Sequence, residues 1–184
     1  MSFFLEPLHD FFRRRAAKSL NKRAGRVHLV NRRQESPRGN FVFPDTDYLD
    51  DIEVGRQRVG HVDYGINPLG DRLYINMIEI DSTHRGQGIG KAVLWRLWRT
   101  HQAPIVPLHQ YALSDGFWNL TRQRFAAAGA VLLDELRGSQ DMALEQLRWQ
   151  HLEPEAEDKR LIREYWEWVA AEHAASRPAG PGIQ

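Results

Sequence analysis

Apolar positions near the N-terminus recur at helical spacing, and basic residues follow them. The apolar set is Phe3, Phe4, Leu8, Phe11 and Phe12. Arg13 to Arg15 then begin a basic half, so the pattern predicts an amphipathic basic helix over residues 1–24. For this helix we favour packing on the protein body, with a solvated basic face, over contact with nucleic acid or an anionic surface.

Shorter apolar or alternating runs follow, which are typical of strands. They cover residues 26–30, 48–54, 57–64, 72–80 and 105–113. Gly55-Arg56 separates the second run from the third and predicts a hairpin turn. Pro37, Gly39 and Pro44 predict an irregular segment in place of helices over residues 31–43.

Helical periodicity returns in the second half of the chain. The helix that follows residue 88 is expected to bury Ile89, Val93, Leu94 and Leu97. Residues 117–128 and 153–175 predict two more helices, whereas 139–149 fits either a closing strand or a helix. For the 153–175 helix we favour packing on the domain over a partner-facing side. The short Pro- and Gly-rich tail 177–184 is expected to be frayed.

A glycine-rich turn joins the 72–80 strand to the following helix. Its residues are Arg85, Gly86, Gln87, Gly88, Ile89 and Gly90. Alternate glycines let successive backbone N–H groups converge on one anion at the positive end of a helix, which favours phosphate. The P-loop pattern does not fit, because Arg85 occupies the position of its first glycine and Ala92 that of its Ser or Thr. The dinucleotide fingerprint does not fit either, because Lys91 occupies the position of its third glycine.

The sequence INMIEIDSTHRGQGIGKAVL, with its R-x-x-G-x-G core, resembles the GNAT N-acetyltransferase superfamily. The resemblance extends over about residues 26–136 and includes RFAAAGA, which is similar to the family's LYEKLGF ending. It implies an α/β (α+β) fold, with a mixed, largely antiparallel central sheet flanked by helices and with added N- and C-terminal helices. The implied organisation is a basic helix (1–24), a GNAT-like acyl-CoA-binding domain (25–150), a C-terminal helix (151–176) and a tail (177–184).

The same resemblance implies acetyl-CoA as the acyl donor. Its pyrophosphate would lie on the loop formed by Arg85, Gly86, Gln87, Gly88, Ile89, Gly90 and Lys91. Backbone N–H groups of Met77, Ile78 and Ile80 would face its pantetheine arm and thioester. Asn119 is a counterpart of a family Asn near the cofactor, although counting from Phe125 places Trp118 there.

The catalytic residues are less defined than the donor loop. Many family members use a Tyr as general acid where this chain has Phe125, which cannot donate a proton. Tyr111, Ser114 or water would then protonate the leaving thiolate. For the general base the candidates are Glu79 and His109, each weighed against a structural role in an ion pair or in the core.

Composition restricts the function further. The net charge of +1 excludes a polyelectrolyte, and the absence of cysteine excludes thiolate metal sites; no metal cluster is visible either. We expect a cytoplasmic protein without a membrane span. The acidic run 45–53 would attract cationic acceptors through Asp47, Asp50 and Asp51, unless it is a solvated surface.

These observations predict an acetyl-CoA-dependent N-acetyltransferase that modifies a primary amine of a small molecule or protein. The alternative is a catalytically weak acyl-CoA-binding module that acts through nucleic-acid or protein contacts of its basic N-terminal helix. A homodimer is left open for both.

Overall fold

Helices and strands alternate along residues 6–110 and 114–175, the part of the chain that the computed structural model describes. The elements are α1 (Glu6–Ala24), β1 (Val27–Glu35), β2 (Asp47–Val54), β3 (Gln57–Ile66), β4 (Leu73–Ile80), α2 (Ile89–His101), β5 (Ile105–Pro107), α3 (Asp115–Ala128), α4 (Ser139–Gln146) and α5 (Glu157–Ala174). Short 3-10 turns lie at Ser82–His84 and Gln150–Leu152. The predicted mixed α/β class is confirmed.

The strands form one sheet in chain order, β1-β2-β3-β4-β5. The first four strands are antiparallel, and β5 joins β4 in parallel. The β2–β3 hairpin turns at Gly55 (φ 59°) and Arg56 (φ 68°), and two consecutive positive φ angles give the twist that a two-residue hairpin loop needs. This hairpin and the antiparallel β4 are confirmed predictions.

Three strand predictions need correction. β1 does not end at residue 30 but continues to Glu35, because its polar half pairs with β2 and Asn31 donates to Asp50 at 2.8 Å. β5 ends at Pro107, so the predicted strand over 105–113 is too long, and residues 111–113 lie outside the described part. Residues 139–146 form α4, and the strand alternative for 139–149 is wrong, because Met142 packs into an apolar cluster as part of a helix.

One face of the sheet is covered by α1, α2 and α3. The main apolar core lies there, and α2 contributes the predicted Ile89, Val93, Leu94 and Leu97. The N-terminal helix belongs to this core, since Leu20 (5 % exposed) and Ala24 (4 %) are buried in it. The Trp95 indole donates to Asn21 at 2.9 Å. The predicted packing of the N-terminal helix is therefore confirmed for its C-terminal half. Phe11 (58 % exposed) and Phe12 (61 %), which the pattern assigned to the apolar face, are instead exposed.

The opposite face is covered by the loop between β1 and β2 and by residues from α4 to Trp149. Val42, Tyr74, Val106, Leu108 and Trp149 form a second apolar cluster there. The Trp149 indole donates to the Phe43 carbonyl at 3.0 Å, which ties this segment to the loop. The loop contains no helix, as predicted, and it is held by packing.

The chain divides into two compact units, of which the first ends at Leu152 and the second begins at Glu153. In the second unit, Arg163 of α5 forms ion pairs with Glu155 at 3.0 Å and with Glu167 at 2.9 Å. The broad packing expected of this helix stays a prediction. Residues 1–5 and the tail 177–184 lie outside the described residues. Along the described helices, length and hydropathy nowhere reach what a membrane crossing requires.

Candidate functional site

The sheet opens between β4 and β5. Among the described residues, the two strands pair only through Leu73 with Ile105, Tyr74 with Val106 and Ile75 with Pro107. Beyond Ile75, β4 continues to Ile80 and remains paired with β3 on its other side. Within residues 6–110 and 114–175, one edge of β4 therefore has no partner strand beyond Ile75.

A β-bulge lies where this opening begins. Tyr64 of β3 is opposite Ile75, but the preceding Asp63 is opposite Met77, so Asn76 is an extra residue on β4. A bulge bends its strand and increases the local twist. It thus accounts for the departure of β4 from β5.

The register shows which amides of β4 face the opening. Ile80 is opposite Gly60, and the next N–H, of Asp81, donates to the Val59 carbonyl at 2.9 Å. In an antiparallel pair this makes Ile80 a position without hydrogen bonds to β3. Its N–H and C=O point into the opening, and by alternation those of Ile78 do so too. The N–H of Met77 points towards β3 instead.

The glycine-rich loop follows directly at the end of this edge. Gly86 (φ 75°) and Gly88 (φ 79°) adopt left-handed conformations, and Gly88 is the N-cap of α2. The first-turn N–H groups of α2, from Ile89 to Lys91, therefore point out of the helix end. The Arg85 side chain donates to the Ile80 carbonyl at 2.8 Å, which joins the loop to the strand. The side chain of Gln87 is near the Thr83 carbonyl, at 3.4 Å.

Basic side chains surround this helix end. A Cβ placed on Gly88 would lie 2.8 Å from the Arg23 guanidinium of α1. Burial lowers the pKa of Lys91, and repulsion from Arg124 and Arg23 lowers the pKa further. The sequence analysis missed Arg23 and Arg124 as neighbours of the loop, although the basic half of the N-terminal helix was a signal for the first.

A cleft of about 500 Å³ lies beside the bulge. It is on the face of the sheet that the β1–β2 loop and α4 cover. It is lined by Arg33, Glu35, Gly39, Asn40, Phe41, Asp47, Asp63, Asn76, Leu108, His109, Met142 and Gln146. Asn76 donates to Asp63 at 2.7 Å and is 3.5 Å from Asp47, which also accepts a hydrogen bond from Asn40. Burial raises the pKa of Asp47. The cleft is therefore a polar, mostly acidic space next to the exposed edge of β4.

The predicted acidic run separates in the structure. Within residues 45–53, all of which are described, only Asp47 lines the cleft. Asp50 accepts hydrogen bonds from Asn31 at 2.8 Å and from the Tyr64 hydroxyl at 3.1 Å. Asp51 forms ion pairs with Arg32 at 2.6 Å and with Arg58 at 2.8 Å. Alternation along β2 and these contacts give the three aspartates different surroundings.

The two candidate bases occupy different positions. Glu79 is exposed on β4, opposite His61, and does not line the cleft. His109 is exposed and lines the cleft, with a positive φ of 52°. Because a positive φ is uncommon for a residue with a side chain, the backbone at His109 is held by its surroundings.

The candidates for the general acid and the predicted counterpart of the family Asn also lie in different places in the structure. Tyr111 lies outside the described residues, and Ser114 is the N-cap of α3. Phe125 is fully buried, with its ring 5.2 Å from that of Trp95. Asn119 is exposed and accepts a hydrogen bond from Arg122 at 3.1 Å. Among residues 6–110 and 114–175, no three His, Asp or Glu side chains are grouped as metal ligands would be.

Comparison with family models gives a match to the Acetyltransferase (GNAT) family over residues 7–103, which is just over half of the chain. The matched range includes α1, the first four strands, the glycine-rich loop and α2. Searches of curated proteins and of solved structures found no match.

Proposed function

Because the chain belongs to the acetyltransferase (GNAT) family, we propose that it transfers the acetyl group of acetyl-CoA to a primary amine of a small molecule or protein. The observation that carries this proposal is the opening between β4 and β5, where the Ile78 and Ile80 amides face outward directly before the glycine-rich loop. An acyl donor with a diphosphate at one end and a thioester at the other needs both features in this order.

The glycine-rich loop supplies the donor site in this proposal. The N–H groups of Gly86, Gly88 and the first turn of α2 bind the pyrophosphate, and Arg85 and Lys91 add positive charge. Gln87 supports the loop through its contact with Thr83. Arg23 of α1 adds a further cation beside Gly88. Asn119 on α3 stays a proposed donor contact.

Transfer then proceeds at the exposed edge of β4. The lone pair of a neutral amine attacks the thioester carbon, and the Ile78 N–H donates to the oxygen that becomes negative. The C–S bond breaks and the thiolate leaves, taking a proton from Tyr111, Ser114 or water. The nitrogen loses its own proton to Glu79 or, through the cleft, to His109. Atoms and charges balance without a further reactant.

Replacing Gly88 by aspartate is expected to weaken acetyl-CoA binding at least tenfold. A carboxylate there lies where the phosphate binds and also pairs with the Arg23 guanidinium. Aspartate tolerates the left-handed conformation and is a good N-cap, so the fold is retained. The measurement is the rise in melting temperature on adding acetyl-CoA, which should shrink in the variant.

Gly70→Asp is the matched control. Gly70 also has a positive φ, of 67°, and a Cβ there would meet no atom within 4 Å. It lies in the turn between β3 and β4, outside the proposed donor site. This variant should respond to acetyl-CoA like the wild type. Equal responses of Gly88→Asp and the wild type would contradict the proposed function.

Glu79→Gln tests the base. If Glu79 receives the amine proton, kcat falls more than tenfold, equivalent to about 1.4 kcal/mol, and the acidic limb of the kcat/KM profile disappears. Because Glu79 is exposed, the substitution should leave the melting temperature unchanged. His109→Gln, measured in parallel, is the competing variant. Full activity of folded Glu79→Gln protein would exclude this base and favour His109 or water.

A further inference from the structure

We propose that the acceptor is a small amine with a second cationic group, and that Asp47 and Asp63 hold this second group in the cleft. The inference rests on the proposed function, since it places the acceptor's reacting nitrogen at the exposed edge of β4. It adds the class of substrate and the residues that select it.

The two carboxylates lie close to the exposed edge of β4. Asn76 is the extra residue of the bulge on β4 and lies two residues before Ile78. Its amide contacts both carboxylates, Asp63 at 2.7 Å and Asp47 at 3.5 Å. The two carboxylates therefore contact the residue that lies two positions before the amide that faces the thioester. One small substrate can reach both places.

The described residues that line the cleft carry more negative than positive charge. They include three carboxylates, of Glu35, Asp47 and Asp63, and one guanidinium, of Arg33. That guanidinium is already 3.2 Å from Glu35 and 4.0 Å from Asp63. The partners of Asp47 are the neutral amides of Asn40 and Asn76, which stabilise its anion without cancelling the charge. The lining therefore favours a cation.

The chemistry of transfer determines whether the cationic group in the cleft is the reacting amine or a second group of the substrate. An ion pair between a carboxylate and the reacting nitrogen would stabilise the protonated form of that nitrogen, which has no lone pair for attack. Glu79 has a different role in the proposed function, because it accepts the proton that the nitrogen loses. The acidic side chains would thus slow the reaction if they held the reacting amine. They assist it if they hold a different charged group and so orient the substrate. This requires an acceptor with two cationic groups.

The cleft has a volume of about 500 Å³, which is within the range of small-molecule pockets. Phe41, Met142 and Gln146 line it and come from the loop between β1 and β2 and from α4. The Gln146 amide donates to the Phe41 carbonyl at 3.0 Å, which links these two elements across the cleft. A cleft bounded in this way suits a compact diamine better than a folded protein surface.

The test compares putrescine with n-butylamine, which has the same carbon number and one amine fewer. Acetyl transfer is measured for both, and binding to the CoA-saturated protein is measured by calorimetry. The wild type should show a kcat/KM for putrescine at least tenfold above that for n-butylamine. Spermidine, which contains the putrescine unit, should also be a substrate.

Asp47→Asn and Asp63→Asn should each raise the KM and Kd for putrescine at least tenfold and change those for n-butylamine less than twofold. Glu53→Gln is the matched control, because Glu53 belongs to the same acidic run but does not line the cleft. Melting temperatures of all variants report whether they fold. The split between the two amines separates a binding role from a general loss of activity.

The outcomes separate the two proposals. Absence of any acetyl-CoA effect on melting temperature overturns the proposed function. Acetyl-CoA binding with equal affinity for putrescine and n-butylamine, or no detectable amine binding by calorimetry, overturns the diamine inference alone. Transfer to protein lysines with no transfer to putrescine also overturns it.

Discussion

Gly60→Ala should lower the free energy of unfolding by about 3 kcal/mol and weaken acetyl-CoA binding with it. Gly60 lies on β3 opposite Ile80, with φ at 158°. A Cβ there would be 2.0 Å from the Glu79 carbonyl oxygen and 3.1 Å from the Ile80 Cα. Both are backbone atoms that cannot rotate away, so β3 and β4 must separate. Urea unfolding measures the effect.

The separation of β3 and β4 should also weaken donor binding, because Gly60 and Ile80 lie next to the glycine-rich loop. Displacing Ile80 moves the carbonyl that anchors Arg85 and shifts the start of the glycine-rich loop. Gly116→Ala is the control, since a Cβ at Gly116 on α3 would meet no atom within 4 Å and its φ is not positive. That variant should stay within about 1 kcal/mol of the wild type. If the Gly60→Ala protein is as stable as the wild type, β3 and β4 can separate to accommodate the Cβ without lowering the free energy of unfolding, and this prediction is wrong.

Features determined by local sequence could be predicted. Gly55-Arg56 specifies a hairpin turn by its backbone angles alone, and the R-x-x-G-x-G run specifies a loop that begins a helix. The periodicity after Gly88 predicted four of the seven buried residues of α2, because one face of a surface helix repeats at fixed spacing. The donor side of the candidate site depends mainly on such features.

Features determined by distant pairing could not be predicted. The extra residue at Asn76 exists only in the register between β3 and β4, and no residue type marks it. The cleft needs the loop before β2 and α4 together, which are about a hundred residues apart, as the Gln146–Phe41 hydrogen bond shows. Asp47, Asp50 and Asp51 of the acidic run could not be distinguished from the sequence, because their different partners appear only in the structure. The acceptor side therefore required the structure.

The alternative function depends on the N-terminal helix acting as a separate contact element. Leu20 and Ala24 are instead buried in the main core, and Arg23 lies beside Gly88. Removing residues 1–24 would therefore expose core surface and take a cation from the donor loop. A loss of function after such a deletion would not distinguish partner binding from these structural effects, so substitutions are the better test.

Ile78→Pro should lower kcat by about 100- to 1,000-fold while the protein stays folded, as for loss of one donor to a developing oxyanion. Proline removes the N–H, and at this position the N–H faces the opening and not β3. Proline is tolerated in strands where the N–H side is unpaired, and it favours an extended conformation in the preceding residue. Steady-state rates at saturating acetyl-CoA and amine measure the effect.

Two control variants separate the lost amide from other changes. Ile78→Val keeps the N–H and removes one methyl group from a half-buried side chain, so it should cost about 1 kcal/mol of stability and leave kcat nearly unchanged. Glu79→Pro removes an amide that pairs with β3 and should destabilise the sheet, since the ladder hydrogen bond is lost. If folded Ile78→Pro protein turns over as fast as Ile78→Val, this amide does not stabilise the transition state. The thioester must then be polarised elsewhere, with the Ile80 N–H, which faces the same opening, as the next amide to remove.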